Sequence, residues 1–555
     1  MAVTTPPVRP PKPGRGEGQW ALGFHTPLNA NEQAKKDDDG LNVRARIENI
    51  YAHRGFASID PADLRGRLRW WGLYTQRRPG IPGGRTALLE PEDLDDEYFM
   101  MRIRIDGGQL TPAQLRVIAD VSTTFARDTA DLTDRQNVQL HWVRIEDVPE
   151  IWHRLEAVGL STTEACGDVP RVMLGSPVAG IAAAEVLDPT WAIEQIQRRY
   201  IGSAEFSNLP RKFKSAISGL PDVAHEIHDI AFIGVNHPEH GPGLDLWVGG
   251  GLSTNPKLAQ RLGAWVPLDE VPEVWAGVTR IFRDYGYRRL RTRARLKFLV
   301  DDWGAPRFRE VLEKEYLGRG LIDGPAPDVP DQPVDHVGVN QQKDGLFYVG
   351  VAPLVGRVSG SLLGKIADVA EDHGSRRIRT TPHQKLVVLD IAPADVESLV
   401  DALDGLGLSA RPSAFRRHTM ACTGLEYCKL AIVETKGLAA DTVADLETRL
   451  ADVADQLDTP ITLNVNGCPN SCARIQIADI GLKGQIVQGE DGFQVHLGGG
   501  LGLDAGFGRK VRGLKVTTAE LPEFVERLVR RFVAAREPGE RFAHWVARAP
   551  EAELQ

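Results

Sequence analysis

Two hydrophobic periods alternate along this chain. In residues 100–126, MMRIRIDGGQLTPAQLRVIADVSTTFA, apolar side chains first recur at every second position and then at the spacing of a helix face. Residues 132–160, LTDRQNVQLHWVRIEDVPEIWHRLEAVGL, repeat the switch and end on Gly159-Leu160, which predicts strand, helix, strand, helix. The same succession returns in residues 345–374, GLFYVGVAPLVGRVSGSLLGKIADVAEDHG, and in residues 378–408, which end on Gly407-Leu408.

The echo extends downstream. VAHEIHDIAFIGV followed by WVGGGLSTN in the first half answers ARIQIADIGLKG followed by HLGGGLGLD in the second. Asp229 aligns with Asp479 and Gly249 with Gly498, at offsets of 250 and 249 residues. Such constancy over separate motifs predicts a duplicated α+β unit whose halves form a pseudo-twofold body, with the cleft between them as a natural cofactor site. Ahead of the repeats, residues 42–78 read as a helix, a turn and an arginine-rich aromatic strand that wraps onto a later domain. The opening MAVTTPPVRPPKPGRGEGQ, rich in Pro and Gly, reads as a mobile tail or surface arm.

Length and charge narrow the picture. A chain of 555 residues exceeds a single core, so about three or four compact units are expected. With 42% hydrophobic and 25% charged residues it has a globular balance that can bury a large cofactor. A formal charge of -9 argues against nucleic acid as the main partner. No apolar run reaches the ~18–20 residues of a membrane span, and no secretion signal is visible, so a cytoplasmic protein is expected.

Cysteine usage is the sharpest clue. Of five cysteines, four fall within 51 residues, as Cys422-x5-Cys428 in MACTGLEYCKLA and Cys468-x3-Cys472 in NVNGCPNSCARIQIADIG. Four thiolates suit an iron-sulfur or zinc site. Zinc knuckles usually separate their cysteines by ~2–4 residues, which the first pair does not match, and neither common ferredoxin spacing fits. Packing alone would make them ordinary buried thiols, but two short-spaced pairs are hard to explain that way. Pro469 fixes the turn beside Cys468 and removes one backbone donor.

Cys-x5-Cys followed by Cys-x3-Cys within NGCPNSCARIQIADIG resembles the cofactor motif of the assimilatory sulfite and nitrite reductases, and the likeness covers nearly the whole chain. The resemblance implies siroheme joined to a [4Fe-4S] cluster, with Cys422, Cys428, Cys468 and Cys472 as cluster ligands, Cys472 also axial to the siroheme iron, and Asn470 near the macrocycle. It implies a three-lobed, duplicated α+β architecture with cofactors where the halves meet. The divisions would be an N-terminal arm and wrapping segment (1–90), ferredoxin-like half-domain 1 (91–163), siroheme-binding domain 1 (164–330), ferredoxin-like half-domain 2 (331–412) and siroheme/[4Fe-4S]-binding domain 2 (413–555).

A small oxyanion needs concentrated positive charge, from the fixed fork of Arg or the point charge of Lys, which can also release a proton. Arg102 in YFMMRIRIDGG, Arg171 in CGDVPRVMLGSP, and Lys212 and Lys214 in NLPRKFKSAISG would be unremarkable surface charges taken singly. They resemble the two arginines and two lysines that bind the anion and deliver protons in the family. Arg104 is the fallback for Arg102, two residues along the same strand face. The nitrite-reducing branch typically carries Asn at the second lysine position, so Lys214 points to sulfite. LTDRQNVQLHWV resembles the family strand beside siroheme, implying cofactor contacts for Arg135, Gln139 and His141, and Lys297 in RTRARLKFL is a weaker match. Asp131 departs from the pattern, since relatives often have a basic residue there.

The runs GGGLST and GGGLGL lack the strand-GxGxxG-helix setting of a nucleotide fingerprint and read as sites of close backbone approach. The fifth cysteine, Cys166, lies five residues before Arg171; it is either a plain buried thiol or covalently joined to Tyr74 of WWGLYTQR. With no Rossmann or flavin module in view, electrons must come from a partner. The resemblance implies reduced ferredoxin, an acidic protein, for which Arg65, Arg67, Arg69, Arg77, Arg78 and the run 288–297 are candidate contacts. Sulfite reduction to sulfide is therefore the expected activity. The alternatives are a ferredoxin-dependent nitrite reductase, a non-catalytic iron-sulfur electron carrier and a structural zinc protein.

Overall fold

The computed structural model describes residues 28–329 and 334–555. The tail or arm read from the first nineteen residues lies outside the described residues. The segment that follows wraps as expected. Helical turns from Val43 to Arg54 give way to Pro61–Arg65, started by Pro61 behind an Asp60 cap that accepts the amide of Ala62, and then to the strand Leu73–Arg77. Val43, Ile47 and Tyr51 from this segment are buried in a core shared with both ferredoxin-like halves.

Each half contributes a five-stranded sheet of the same plan. In the first, Leu73–Arg77, Asp95–Ile103, Val138–Val143 and Thr129–Leu132 lie side by side, and the fifth strand, Arg357–Ser359, comes from the second half. In the second, Gly338–Gln341, Phe347–Val351, Leu386–Ile391 and Ile378–Thr380 are completed by Gln109–Leu110 from the first half. The helices that follow the exchanged strands, Pro112–Phe125 and Gly360–Asp372, pack on each other. Matching bulges recur in both sheets: Trp142 and Asp390 take positive φ (63° and 65°), and their amides donate to Gln76 Oε1 at 3.0 Å and Gln342 Oε1 at 2.8 Å.

Two further mixed sheets repeat one another. In the first, Ser215–Ser218 runs parallel to Ile230–His237, which continues into antiparallel Gly241–Val248 and Gln260–Val266. In the second, Leu463–Asn466 runs parallel to Ile480–Val487, followed by Glu490–Leu497 and Arg509–Thr517. The amphipathic helices Val271–Tyr285 and Leu521–Ala535 bury their apolar faces in the respective cores.

The repeated Asp and Gly positions do the same structural job in each copy. Asp229 Oδ2 accepts the Lys214 amide at 2.8 Å and Asp479 Oδ2 the Thr462 amide at 2.9 Å, while the Gly249 and Gly498 amides donate to the Asp229 and Asp479 carbonyls at 2.9 and 2.8 Å. The glycine runs are sites of close approach, because a Cβ at Gly250 would sit 2.5 Å from the Glu226 carbonyl oxygen, and one at Gly499 2.5 Å from that of Gln476. Three large hydrophobic clusters result, one shared by the wrapping segment and both ferredoxin-like halves and one beneath each mixed sheet. Among the described residues no helix is long and apolar enough to cross a membrane.

Candidate active site

The four clustered cysteines sit on two loops at the ends of parallel strands. Cys422 follows the strand Thr419–Ala421, its amide bonded to the Val465 carbonyl at 3.0 Å, and its sulfur accepts the Gly467 amide at 3.3 Å. Cys468 and Cys472 lie on the turn beyond Leu463–Asn466, where Asn466 donates to the Cys468 carbonyl at 2.5 Å and accepts the Ala473 amide at 2.9 Å. Burial, and then the neighbouring Cys472, pushes the Cys422 thiol up to about 12 and raises Cys428 and Cys468 as well. Among the described residues no three His, Cys, Asp or Glu side chains converge on one point as a lone ion requires. Four cysteines gathered on two neighbouring loops, with a backbone amide aimed at the Cys422 sulfur, are a donor set that a cluster of iron and sulfide fits.

Across the turn from these thiols lies a cavity walled by cations. Arg135, Lys212, Lys214, Arg295 and Arg474 line it with Asn470, Ser471 and the 251–253 loop. Arg135 reaches His228 Nε2 at 2.6 Å; His228 Nδ1, 2.9 Å from the Ala224 carbonyl, carries the proton that lets Nε2 accept. Arg474 donates to Asp134 Oδ2 at 3.2 Å, and Arg295 grips Asp229 through bonds of 2.7 and 3.2 Å. Among the described residues neither lysine ammonium donates a hydrogen bond to the protein. Burial, then Arg295, lowers Lys212 to about 8; burial, then Arg135, puts Lys214 well below its ordinary value; burial also lowers Arg135 to about 9. So many cations facing one another, with Asp134 and Asp229 as the compensating carboxylates, need anionic groups between them. An eight-carboxylate macrocycle and an oxyanion meet that need.

The other two candidate arginines stand beside Cys166. Arg102 donates to Cys166 Sγ at 3.2 Å and to Gln139 Oε1, and Gln139 Nε2 in turn bonds Thr423 Oγ1 at 3.2 Å, next to Cys422. Arg171 donates to the Gly167 and Ala165 carbonyls at 3.0 and 3.2 Å. Burial works against its charge, but Tyr74 and Cys166 beside it raise its pKa, so both partners of the expected Tyr-Cys link flank this arginine. Arg104 is engaged elsewhere, in a two-point pair with Asp106 at 2.7 and 3.1 Å.

Four segments of the chain match two domain families: the "Nitrite and sulphite reductase 4Fe-4S domain" at residues 166–320 and 413–555, and the "Nitrite/Sulfite reductase ferredoxin-like half domain" at 92–158 and 340–406. The chain belongs to the nitrite and sulphite reductase family. It is 64% identical over 553 residues to "Sulfite reductase [ferredoxin]" of Mycobacterium tuberculosis, covering 99% of this chain and 100% of the relative. It superimposes on the solved structure of Mycobacterium tuberculosis NirA with a TM-score of 0.95, covering 98% and 100% of the two chains at 64% identity. "Assimilatory ferredoxin-dependent nitrite reductase" of Haloferax mediterranei is 34% identical, with 94% of this chain and 92% of that one covered.

Within this family member the site residues divide by location. Arg135, Lys212, Lys214 and Asn470 share the cationic cavity, whereas Lys297 donates to the carbonyls of Gly251, Leu252 and Asn255 and so braces the cavity's glycine loop. His141 is buried between Asp131, at 3.3 Å, and the Tyr427 ring, stacked at 3.7 Å beside Cys428. Asp131 itself faces Lys436 at 3.4 Å and Arg357 at 3.7 Å, which accounts for an acid at a position where a base was expected. Of the residues proposed for docking, Arg77, Arg288, Arg295 and Lys297 are buried, Arg288 paired with Glu32 at 2.8 Å and Arg295 with Asp229, so none of the four can meet a partner.

Arg474 and His228 line the cavity without having been singled out, and Arg295, read within the 288–297 docking run, lines it instead. Arg474 had a signal: it aligns with Ala224, so the repeat replaces a small residue by a cation, and both sit at positive φ (59° and 51°). A second signal lies in the register. Lys214 pairs with Thr462 and Asp229 with Asp479, so the second copy carries two extra residues between these points, within the turn that bears Cys472. On the far side of Arg474 a larger cavity of about 300 Å³, lined by His383, Asn464 and Gly499–Gly502, is the pseudo-twofold counterpart of the cationic one.

Proposed function

We propose that this chain reduces sulfite to sulfide in the cytoplasm, taking six electrons from reduced ferredoxin and six protons and releasing three waters. The observation that carries the reading is the pairing of Lys212 with Lys214 at the cationic cavity, supported by relatives of 60–64% identity named sulfite reductase against 34–36% for those named nitrite reductase. Bound siroheme and a [4Fe-4S] cluster would supply the one-electron chemistry. Cys422, Cys428, Cys468 and Cys472 would hold the cluster, with Cys472 placed to serve the siroheme iron, and Arg135, Arg295, Arg474 and Asn470 would hold siroheme carboxylates.

The chain's own groups then divide the work on the anion. Arg102 and Arg171 offer guanidinium forks for sulfite oxygens, and Lys212, its proton loosened by burial, gives that proton up as an oxygen leaves as water. Lys214 adds a second donor. Cys166 and Tyr74 both lie beside Arg171, and a thioether joining them, formed as the thiol hydrogen and one Tyr74 ring hydrogen pass to dioxygen to give hydrogen peroxide, would lock that position. The visible spectrum of the purified protein tests the cofactor reading, because siroheme absorbs strongly where a bare cluster does not and zinc is colourless. A kcat/KM for nitrite above that for sulfite would overturn the choice of substrate.

A further inference from the structure

Arg77 closes the strand Leu73–Arg77 and is 2% exposed. Its guanidinium donates only to uncharged groups: Thr86 Oγ1 at 3.0 Å, the Ile81 and Pro82 carbonyls at 3.1 and 3.3 Å, and the Ala431 carbonyl at 3.5 Å. Its Nε is buried without a partner. Among the described residues no carboxylate pairs with it, and the one titratable neighbour that bears on its charge is Cys428. An arginine stays charged in a protein, and a buried charge without a counter-ion is costly. The side of Arg77 that faces Cys428 is where a counter-charge would lie.

The same residue is built into the ligand loop. The Arg77 amide donates to the Tyr427 carbonyl at 2.9 Å, and Thr86 Oγ1 donates to the Ala431 carbonyl at 2.7 Å, so the wrapping segment grips the loop on both sides of Cys428. The fit is at backbone contact, since a Cβ at Gly83 would lie 1.6 Å from the Ile432 carbonyl oxygen. Arg77 is thus fixed by the protein's own bonds, and its charge cannot swing away.

We propose that Arg77 is a positioning residue that serves as the built-in counter-charge of the cluster held by the four cysteines, favouring its reduced, more negative state. The inference rests on the cluster reading given above. Cluster potentials respond to net charge, sulfur hydrogen bonds and solvent exposure, and a fixed cation in a buried site acts through the first of these. It eases the arrival of an electron without touching substrate.

The test is a reductive titration of full-length holoprotein, following the cluster by electron paramagnetic resonance, for wild type, Arg77→Gln, Arg77→Lys and Thr86→Val. Arg77→Gln is expected to disfavour the reduced cluster about tenfold or more, which is a midpoint lower by about 59 mV for one electron. Arg77→Lys, which keeps the charge, and Thr86→Val, which loosens the grip and removes one neutral contact of the guanidinium but keeps the charge, are expected to stay within about threefold of wild type. A fully loaded Arg77→Gln with an unchanged midpoint overturns the proposal, as does a Thr86→Val shift as large as that of Gln. If the Gln variant does not load iron, Lys decides: loading restored by Lys supports the counter-charge, and failure with Lys refutes it. Wild-type protein without iron and acid-labile sulfide would instead refute the cluster reading itself.

Discussion

The duplication supplies an internal control for one of the site's main supports. Asp229 is fully buried, accepts the Lys214 amide and holds Arg295 by two bonds; its twin Asp479 accepts the Thr462 amide and hydroxyl, with the Arg541 charge acting on it more weakly than burial does. Asp229→Asn leaves the Arg295 guanidinium buried against a neutral amide. Removing one member of a buried pair costs about 3–5 kcal/mol. For a unit of this size 1 kcal/mol moves the melting temperature by about 2–4 °C, so a fall of roughly 6–20 °C is expected. Asp479→Asn gives up no two-point grip like that of Arg295 on Asp229. Burial raises the Asp479 pKa to about 6, above its unfolded value, so this group's contribution to stability is complete below the unfolded pKa and is lost as pH rises through about 6. Near pH 7 its neutral replacement should cost about 1 kcal/mol or less, and relatively more near pH 5. Scanning calorimetry of both variants at the two pH values is the assay. Equal losses for the twins, or a larger one for Asp479→Asn at pH 7, would refute the reasoning.

Four other expectations follow from the site. Lys212, near 8, loses its proton as pH rises, so kcat/KM for sulfite should fall through about pH 8, and Lys212→Arg should move that fall upward; the titration of sulfite itself cancels between the two proteins. Lys212→Met should lower kcat/KM by about 10–100-fold, the worth of a hydrogen bond from a charged donor. Turnover with ferredoxin should weaken steeply with ionic strength, and Arg78→Glu, at an exposed position, should weaken it further at low salt while leaving turnover with a small chemical reductant intact; indifference to salt would refute docking on this face. Intact-mass measurement should find the chain lighter by two hydrogens, with Cys166→Ser abolishing that loss; an unmodified mass would refute the Tyr74–Cys166 link.

The duplicated fold was legible because the repeated residues are ones whose backbone roles leave few substitutes. An Asp that accepts a strand amide and a Gly pressed against a carbonyl recur at near-constant offset, since each copy needs the same bond. The cysteines were legible from pairing and scarcity. Arg295 and Arg474 were not, because single arginines carry no periodic signal in a chain full of them. Burial of Arg77 and Arg288 ran against the usual exposure of arginine, and only tertiary partners far away in sequence, the 431 carbonyl and Glu32, account for it. Gln109–Leu110 is too short to read as a strand, so its place in the opposite sheet came only from the structure.

That exchange of edge strands bears on how the protein is made. When the first half leaves the ribosome its sheet lacks Arg357–Ser359, and Thr129–Leu132 presents an unpaired edge. The completing strand is synthesised roughly two hundred residues later, about 10–40 s at ordinary elongation rates. Throughout that interval the nascent chain is open to pairing with its neighbours on a polysome, so the yield of soluble enzyme should depend on translation speed and on chaperones that cover sheet edges, and neither half should survive expression alone.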